Sequence, residues 1–294
     1  MSTQTNLFGD TIKVYSRPTS GGLLKWIGNK YKMAEEICSY FPDEYGTFYE
    51  VFAGSASVIA TVSPDRGVGS DTFGPLVEIW QTLQGNPDLL KEWYRVRWDQ
   101  LTAGDQKEEY EKVKALYNSN PNGADFLFLT RTCYGGVIRF RKADGYMSTP
   151  CGPHKPIPPA SFNRRVDEWN LRLINCRFLH ADYREVMSQA KSGDIIYCDP
   201  PYTHSQSILY GAQDFRLEQL FAQIKECKER GVFVALSIDG TKMSGNMICD
   251  STIPTGLFDQ EISTQVGRSM LKRFQMNGQS LEGHEVTDRL LLTY

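Results

Sequence analysis

An aspartate, two prolines and a tyrosine follow a short apolar run in the sequence IIYCDPPY. Residues 195–198 predict a buried strand, and the chain must leave the sheet at Pro200, because proline lacks the N–H that a central strand needs. Asp199 and the carbonyl oxygen of Pro200 can accept hydrogen bonds from an amine, while the ring of Tyr202 can stack on a planar group. With Pro201 fixing the exit of the chain, this arrangement suits the methylation of an amino group on a base.

The same four residues also fit a proline-rich strand end that is capped by an aspartate. Motifs of this length occur by chance, so the two interpretations carry equal weight on these residues alone. Asp199 does stand beyond the carboxyl end of a predicted strand, where open α/β sheets bind their ligands. The remaining motifs of the chain must decide between the two.

A strand, a loop of small residues and a helix are predicted within residues 47–62, TFYEVFAGSASVIATV. This is the first unit of a Rossmann-like fold, in which the backbone of the loop at 53–57 approaches a ligand closely. A second short strand at 67–71 ends in Asp71, about 20 residues after the loop, where such folds hold a ribose hydroxyl. A loop that is small for packing reasons and a helix-capping aspartate are the alternatives.

Two lysines flank a Gly–Asn turn upstream of this unit. Lys25 and Lys30 lie on either side of the turn at 28–29, and Trp26 is next to Lys25. Such a turn suits a ligand that carries a carboxylate. On these residues alone, a surface turn with solvated lysines and a core tryptophan is the better interpretation.

The alternation of strands and helices is interrupted after residue 75. Residues 75–120 show helical spacing of apolar side chains, which predicts an inserted helical lobe. In the following stretch, residues 125–155, aromatic and basic residues interleave with glycines. Between residues 131 and 165 the chain has seven Lys or Arg and one acid, Asp144. Basic residues neutralise phosphates and aromatic residues stack on bases, so the stretch favours a nucleic-acid contact over an unliganded basic loop.

The rest of the chain returns to an α/β pattern. We expect a strand at 176–179, a helix near 183–190, a helix near 216–230 that Gly231 ends, a buried strand at 231–239, a loop at 240–260, and closing strands near 261–266 and 289–294.

The composition is that of an ordinary globular protein, with 40% hydrophobic and 23% charged residues. No apolar run is long enough to span a bilayer, and the polar N-terminus has no signal-peptide pattern. The seven cysteines are odd in number and have no C-x-x-C spacing, which predicts reduced thiols, a cytoplasmic location and no metal site. A net charge of -3 means that any nucleic acid must meet a local basic surface.

Taken together, these motifs resemble the Dam-type DNA adenine N6-methyltransferases (D12 class, alpha-group). The resemblance rests on an ordered set of segments from Leu23 to Tyr294: KWIGNK, FAGSAS, Asp71, LTRTCYGGVIRF with GYMSTPCG, HADY, DPPY and a terminal LLLTY. It implies an α/β fold with a class I methyltransferase sheet, closing antiparallel strands and an inserted, mainly helical target-recognition lobe. The implied domains are a catalytic unit, residues 21–75 and 165–294, and a DNA-binding lobe, residues 76–164.

The resemblance also implies the site residues. S-adenosylmethionine would be bound by Trp26, Lys30, Phe52, Ala53, Gly54, Ser55, Asp71, Asp182 and Asp199. The target adenine would be held by the catalytic residues Asp199, Pro200, Pro201 and Tyr202. Double-stranded DNA would be contacted by Lys25, Arg131, Tyr134, Val137, Arg139, Arg141, Lys142, Pro150 and Lys155. Gly135 stands where close members carry Asn, so the recognition sequence, GATC or another, stays open.

Two further expectations follow from the resemblance. The enzyme would be bacterial or phage-encoded, cytoplasmic and bound to DNA, as a monomer or weak dimer, with a cognate restriction endonuclease as a candidate partner. The competing interpretations are a catalytically silent DNA-binding reader on the same fold, and an enzyme that methylates RNA adenine, cytosine N4 or a protein amide. The intact Asp199, Lys30 and Asp71 argue against the silent reader, and Asp in the first position of DPPY favours adenine.

Overall fold

A seven-stranded mixed sheet forms the centre of the protein. The computed structural model describes residues 2–5, 11–201, 215–239, 253–267 and 286–294. The strand order is β5-β4-β3-β6-β7-β9-β8, in which the first five strands are parallel and β9 is antiparallel to both of its neighbours, β7 and β8. The strands are β3 (Phe48–Glu50), β4 (Gly67–Asp71), β5 (Cys176–His180), β6 (Ile195–Cys198), β7 (Phe233–Asp239), β8 (Gln260–Gly267) and β9 (Val286–Leu292). A separate antiparallel pair is formed by β1 (Ser2–Thr5) and β2 (Thr11–Val14).

The central strands are apolar because helices cover both faces of the sheet. Every residue of β3 and β6 is buried. Gly69 in β4 is required by close packing, since a Cβ atom there would lie 2.3 Å from the ring of Phe178 in β5. The register of β4 against β5 therefore depends on a residue without a side chain.

Nine α-helices occur among the described residues. They are α1 (Ala34–Ser39), α2 (Ser57–Val62), α3 (Gly74–Gly85), α4 (Pro87–Ala103), α5 (Gln106–Ser119), α6 (Gly123–Thr132), α7 (Pro159–Arg172), α8 (Tyr183–Gln189) and α9 (Leu217–Glu229). The inserted segment is helical, as the sequence predicts, and α4, α5 and α6 each begin with a capping side chain: Asn86, Asp105 and Asn122.

The inserted helices share one apolar core with the sheet. Trp80 of α3 stacks on Phe178 of β5 and on Trp169 of α7, with ring centroids 5.6 Å apart in both pairs. α6 is buried over its whole length, so it forms the centre of the lobe. The division into residues 21–75 with 165–294 and residues 76–164 stays a prediction, because the packing of α3 is continuous across its first boundary.

The predicted α/β architecture with closing antiparallel strands is confirmed. The helix expected from Lys30 begins at Ala34. Gly231 follows α9 with a left-handed φ of 75°, which is the conformation that a glycine C-cap adopts. Most of the predicted loop at 240–260 lies outside the described residues. In the described part of the chain, no helix has the length and apolar character needed to cross a membrane.

Candidate active site

A cavity of about 300 Å³ lies beyond the carboxyl ends of β3, β4 and β6. The structure brings together, as lining residues, all nine positions that the resemblance implies for the cofactor: Trp26, Lys30, Phe52, Ala53, Gly54, Ser55, Asp71, Asp182 and Asp199. These positions are spread over more than 170 residues of sequence. The parallel strands, which all end at one edge of the sheet, bring them to one place.

The loop after β3 has two residues in the left-handed conformation. Gly54 has a φ of 45° and Ala56 a φ of 50°. A Cβ atom on Gly54 would lie 3.0 Å from Nε1 of Trp26, so this position excludes side chains for conformational and steric reasons. The carbonyl oxygen of Gly54 accepts a hydrogen bond of 3.0 Å from Nε1 of Trp80. The loop is therefore held between two tryptophans, and its backbone forms one wall of the cavity.

Asp71 at the end of β4 is fixed by backbone donors. Its carboxylate accepts hydrogen bonds from the N–H of Gly54, at 3.1 Å, and from the N–H of Phe73, at 3.0 Å. Burial raises the pKa of the Asp71 carboxyl, and the backbone hydrogen bonds oppose that effect. A carboxylate oriented in this way is a suitable acceptor for two neighbouring hydroxyl groups of a ligand.

Asp199 follows β6 and forms an ion pair with Lys30. Nζ of Lys30 lies 2.8 Å from Oδ1 of Asp199 and 3.6 Å from Oδ2 of Asp288 in β9. The side chain of Lys30 is only 4% exposed, so its charge is compensated by these two carboxylates. Lys30 therefore holds the carboxylate of Asp199 in position, and a carboxylate can accept hydrogen bonds from a ligand. Asp288 was not anticipated from the sequence.

The structure describes two of the three remaining residues of the DPPY segment, Pro200 and Pro201. Pro201 lines the same cavity as Asp199, and Pro200 lies between them. Tyr202 lies outside the described residues, so its predicted stacking role stays a prediction.

Glu50 is a cavity residue that sequence reasoning missed. It ends β3 and is 3% exposed, and its carboxylate accepts a hydrogen bond of 2.9 Å from the N–H of Ile59 in α2. Burial raises the pKa of Glu50 to about 8. The predicted strand ran from Phe48 to Phe52, so Glu50 stood in its middle, and the only available signal was an acid inside an otherwise apolar strand.

The far wall of the cavity is aromatic and also carries an ion pair. The ring of Phe52 packs on Tyr183, with centroids 5.1 Å apart, and against Phe215, at 5.8 Å. Asp182 caps α8 and pairs with Arg184 at 2.7 Å. Tyr183, Arg184 and Phe215 were not predicted as site residues.

The predicted DNA-contacting residues divide into an exposed and a buried group. Arg131 and Val137 are 4% and 5% exposed. The guanidinium of Arg131 donates to the carbonyl oxygen of Leu23, at 2.8 Å, and burial lowers its pKa to about 10. The structure therefore does not bring Arg131 and Val137 to the surface. Arg131 binds the backbone of the N-terminal segment, and Val137 packs in the apolar core. The exposed group consists of Lys25, Tyr134, Arg139, Arg141, Lys142, Pro150 and Lys155.

Residues 133–151 form an irregular hairpin, which we call the basic hairpin. Its arms pair at two isolated bridges, Cys133 with Cys151 and Phe140 with Met147. Arg141 makes two hydrogen bonds to Asp144, of 3.0 and 2.6 Å. The charge of the hairpin is thus partly neutralised by its own acid.

The basic hairpin lies close to the cofactor cavity. A second cavity of about 500 Å³, lined by Lys25 and Gly135, shares Trp26, Ser55 and Ser57 with the first. The ring of Phe73, behind Asp71, also packs against that of Phe140 in the hairpin, with centroids 5.7 Å apart. A ligand on the hairpin would therefore lie next to a ligand in the cavity.

The strand order and the acid-lined cavity at the carboxyl ends of the strands define a Rossmann-like methyltransferase. The model of the D12 class N6 adenine-specific DNA methyltransferase family matches residues 26–260, so the chain belongs to that family. Membership confirms the resemblance inferred from the sequence and makes the chain an adenine-specific DNA methyltransferase.

Several characterised proteins are similar to the chain. A DNA adenine methylase of Vibrio cholerae is 27% identical over 230 residues, which are 73% of this chain and 79% of that protein. The DNA N-6-adenine-methyltransferase of Escherichia phage P1 is 27% identical over 243 residues, 78% of this chain but 31% of the phage protein. The type II methyltransferase M1.LlaDCHI of Lactococcus lactis subsp. cremoris is 23% identical over 250 residues, 78% of this chain and 84% of that enzyme.

Proposed function

We propose that this enzyme transfers a methyl group from S-adenosylmethionine to N6 of an adenine that is flipped out of duplex DNA. The observation that carries the proposal is the single cavity at the strand ends, which all nine implied cofactor residues line and at which Asp199 and Pro201 lie. The family supplies the class of reaction. The cavity would hold the cofactor and the target base next to the basic hairpin.

The residues of the cavity fit this cofactor. Asp71 is oriented by two backbone N–H groups, which leaves it able to accept hydrogen bonds from ribose hydroxyls. Trp26 and Phe52 provide aromatic surfaces, and the missing side chain at Gly54 lets a ligand approach the backbone. We assign Asp182 to the adenine of the cofactor. When bound, S-adenosylmethionine supplies a methyl group that is already activated on a positively charged sulfur.

Asp199 and Pro200 would prepare the amine of the target base. The N6 lone pair of adenine is delocalised into the ring, which makes the amine a poor nucleophile. Hydrogen bonds from N6–H to the Asp199 carboxylate and the Pro200 carbonyl oxygen would draw the nitrogen toward a tetrahedral geometry. The ion pair with Lys30 holds Asp199 in place. Positioning of this kind can supply about 7–11 kcal/mol of barrier reduction.

The target base must leave the duplex to reach Asp199, because a stacked base is inaccessible. We assign Tyr202 to stacking on the flipped base, a contact worth about 1–3 kcal/mol. We assign base contacts to Lys25, Tyr134, Arg139 and Pro150, and phosphate contacts to Arg141, Lys142 and Lys155. Arg131 and Val137 are left out of this surface, because both side chains are buried.

The biological setting follows the same reasoning. We propose a bacterial or phage-infected cytoplasm as its location and a monomer or weak dimer as the active form. The similarity to a type II methyltransferase supports pairing with a restriction endonuclease.

The test is a transfer assay with S-adenosylmethionine labelled in its methyl group. Duplex DNA, single-stranded DNA and RNA are compared as substrates, and the nucleosides of each product are separated. The proposal expects N6-methyldeoxyadenosine from duplex DNA. Binding of DNA without transfer would support the silent reader, and label in cytosine or in RNA alone would assign the other substrates.

A further inference from the structure

Asp288 lies at the edge of the sheet where the cofactor cavity is found, although it belongs to β9. This strand runs antiparallel to β7, so it begins at the edge where β6 and β7 end. The backbone of Asp288 lies between that of Asp239 in β7 and that of Thr264 in β8. Strand neighbours on both sides fix this position, and the residue is 5% exposed. Asp288 is therefore a buried acid whose backbone has little freedom to move.

Lys30, in contrast, belongs to an irregular segment of the chain. It lies between the turn at 28–29 and the start of α1, and its ammonium is carried on a flexible four-carbon stem. The contacts of the ammonium therefore decide where it lies. Nζ is 2.8 Å from Oδ1 of Asp199, 3.6 Å from Oδ2 of Asp288 and 3.4 Å from the carbonyl oxygen of Gly28. The ammonium thus connects the end of β6 with the start of β9, across the end of β7.

The two carboxylates hold this ammonium in different ways. Asp199 is within hydrogen-bonding distance of Nζ, whereas the separation from Asp288 is that of an ion pair and too long for a hydrogen bond. The attraction between opposite charges is strong in a buried site, where little water screens it. Asp288 therefore draws the ammonium toward β9, while Asp199 draws it toward β6. The position of Lys30 depends on both attractions.

Loss of the charge of Asp288 would change the contact on which the proposed reaction depends. The ammonium would be drawn further toward Asp199 and could turn more of its three N–H donors onto that carboxylate. The amine of the target base needs the same carboxylate as its acceptor. A lysine that moves toward Asp199 would therefore rotate the carboxylate or compete for its oxygen atoms.

We propose that Asp288 is a positioning residue for methyl transfer, which acts through Lys30 on the carboxylate of Asp199. The inference rests on the proposed function, because it takes from it the role of Asp199 as the acceptor for the adenine amine. It goes further by assigning a role to a residue that is not among the described residues lining the cofactor cavity. Because Asp288 contacts Lys30, its loss should affect the rate of transfer more than the binding of either substrate.

The experiment measures the single-turnover rate of methyl transfer from labelled S-adenosylmethionine in preformed complexes with duplex DNA. Wild type is compared with Asp288→Asn, which removes the charge and keeps the shape of the side chain, and with Glu261→Gln. This control lies in β8, beside β9, and removes an exposed carboxylate that pairs with Arg289. We expect Asp288→Asn to lower the rate per titrated cofactor site by about 10–100-fold, since small displacements of reacting groups have effects of this order. Glu261→Gln should keep the wild-type rate.

The dissociation constants for S-adenosylmethionine and for duplex DNA are measured on the same proteins. They should stay close to the wild-type values in Asp288→Asn, because the residue holds a catalytic group and neither substrate. A loss of affinity that accounts for the whole loss of rate would contradict the proposal.

A double-mutant cycle tests whether Asp288 acts through Lys30. The effect of Asp288→Asn is measured in the wild-type background and in the Lys30→Met background. In the second background it should cause no further loss of rate, because no ammonium remains to be displaced. An equal fall in both backgrounds, or a wild-type rate for Asp288→Asn, would overturn the proposal and leave the proposed function intact. Failure of wild type to methylate duplex DNA would instead remove the proposed function.

Asp288→Asn should fold, because Lys30 keeps Asp199 as a partner and its charge is not left uncompensated. If the variant does not fold, Asp288→Glu takes its place. It keeps the charge but carries it one methylene further along the side chain, which displaces the ammonium of Lys30. This variant should transfer more slowly than wild type at unchanged affinities. A wild-type rate for Asp288→Glu would overturn the proposal.

Discussion

The cofactor cavity and the basic hairpin position their polar groups in opposite ways. In the cavity, residues from Trp26 to Asp199 converge from distant parts of the chain, and backbone N–H groups or a buried lysine orient the acids. In the hairpin, the polar residues are neighbours in sequence and largely exposed. Its one acid, Asp144, pairs with Arg141 three residues away.

This difference teaches how the two regions can be used. A carboxylate oriented by the main chain of a sheet needs no rearrangement when its ligand arrives, which suits a reaction that depends on geometry. Exposed ion pairs contribute little to stability, so the hairpin can exchange its internal pair for phosphates. We therefore expect substitutions in the cavity to act on chemistry and folding, and those in the hairpin to act on DNA selectivity and salt dependence.

The largest effect is expected for Asp199→Ala. Loss of the amine acceptor should lower the transfer rate at saturating substrates by about 10²–10³-fold or more, as for other groups that act on the transition state. Lys30 keeps Asp288 as a partner, so the protein should fold, and DNA affinity should be close to that of wild type. Asp65→Ala, which removes an exposed acid, is the control. Near-normal turnover of Asp199→Ala would place the chemistry elsewhere.

Glu50→Gln should change how stability depends on pH. The pKa of Glu50 is raised from 4.5 to about 8 in the folded protein, so between these values the folded state holds a proton that the unfolded chain has lost. The stabilising contribution of the protonated Glu50 is complete below pH 4.5 and is lost as the pH rises toward about 8. The loss amounts to up to about 1.4 kcal/mol of unfolding free energy per pH unit.

Denaturant unfolding across this pH range measures the effect. The unfolding free energy of wild type, relative to that of Glu50→Gln, should fall as pH rises. The unfolding free energy of Glu36→Gln, which removes an exposed carboxylate of α1, should depend on pH in the same way as that of wild type. A constant difference between wild type and Glu50→Gln would show that Glu50 is ionised in the folded protein.

Arg139→Ala tests base reading by the hairpin. Its guanidinium is exposed and has no ion pair in the described residues, so its loss should cost about 1–3 kcal/mol of binding to the cognate site and relax selectivity at one position. Transfer at saturating DNA should change little. Binding of cognate and scrambled duplexes measures this, with Arg177→Ala on the edge strand β5 as the control. Unchanged selectivity would move sequence reading to another surface.

Gly54→Ala should weaken cofactor binding through the backbone. The position has a φ of 45°, and the new Cβ would lie 3.0 Å from Trp26. We therefore expect a conformational cost of about 1–2 kcal/mol for keeping the loop in the shape that binds the ligand. The increase in melting temperature that S-adenosylmethionine produces should shrink accordingly. Gly85→Ala is the matched control, because its added Cβ meets nothing within 4 Å. An equal loss in both variants would mean that the loop does not approach the ligand.

The smallest effect separates two neighbouring cations of the hairpin. Lys142→Ala should weaken binding to all sequences alike and reduce the slope of log affinity against log salt by about one. Arg141→Ala should reduce the slope by less, because Asp144 already neutralises Arg141. A salt series on both variants measures the slopes. A larger effect from Arg141→Ala would show that its pair with Asp144 opens on DNA.

The sequence predicted the sheet well, because strands buried on both faces leave unmistakable apolar runs such as residues 195–198. It predicted cofactor positions through motifs that end those runs. It missed Glu50, whose apolar neighbours made it look like an ordinary strand residue, and Asp288, whose partner Lys30 is more than 250 residues away. Arg131 was misplaced at the surface, because local charge cannot show whether a guanidinium is satisfied by carbonyl oxygens of another segment.

The most direct test of the central claim is a crystal structure of the enzyme with S-adenosylhomocysteine and a cognate duplex. The account predicts the ligand in the cavity, with its ribose at Asp71, and an unstacked adenine at Asp199, while Arg139 reaches a base edge. A ligand bound outside this cavity, or an adenine whose amine lies away from Asp199, would contradict it.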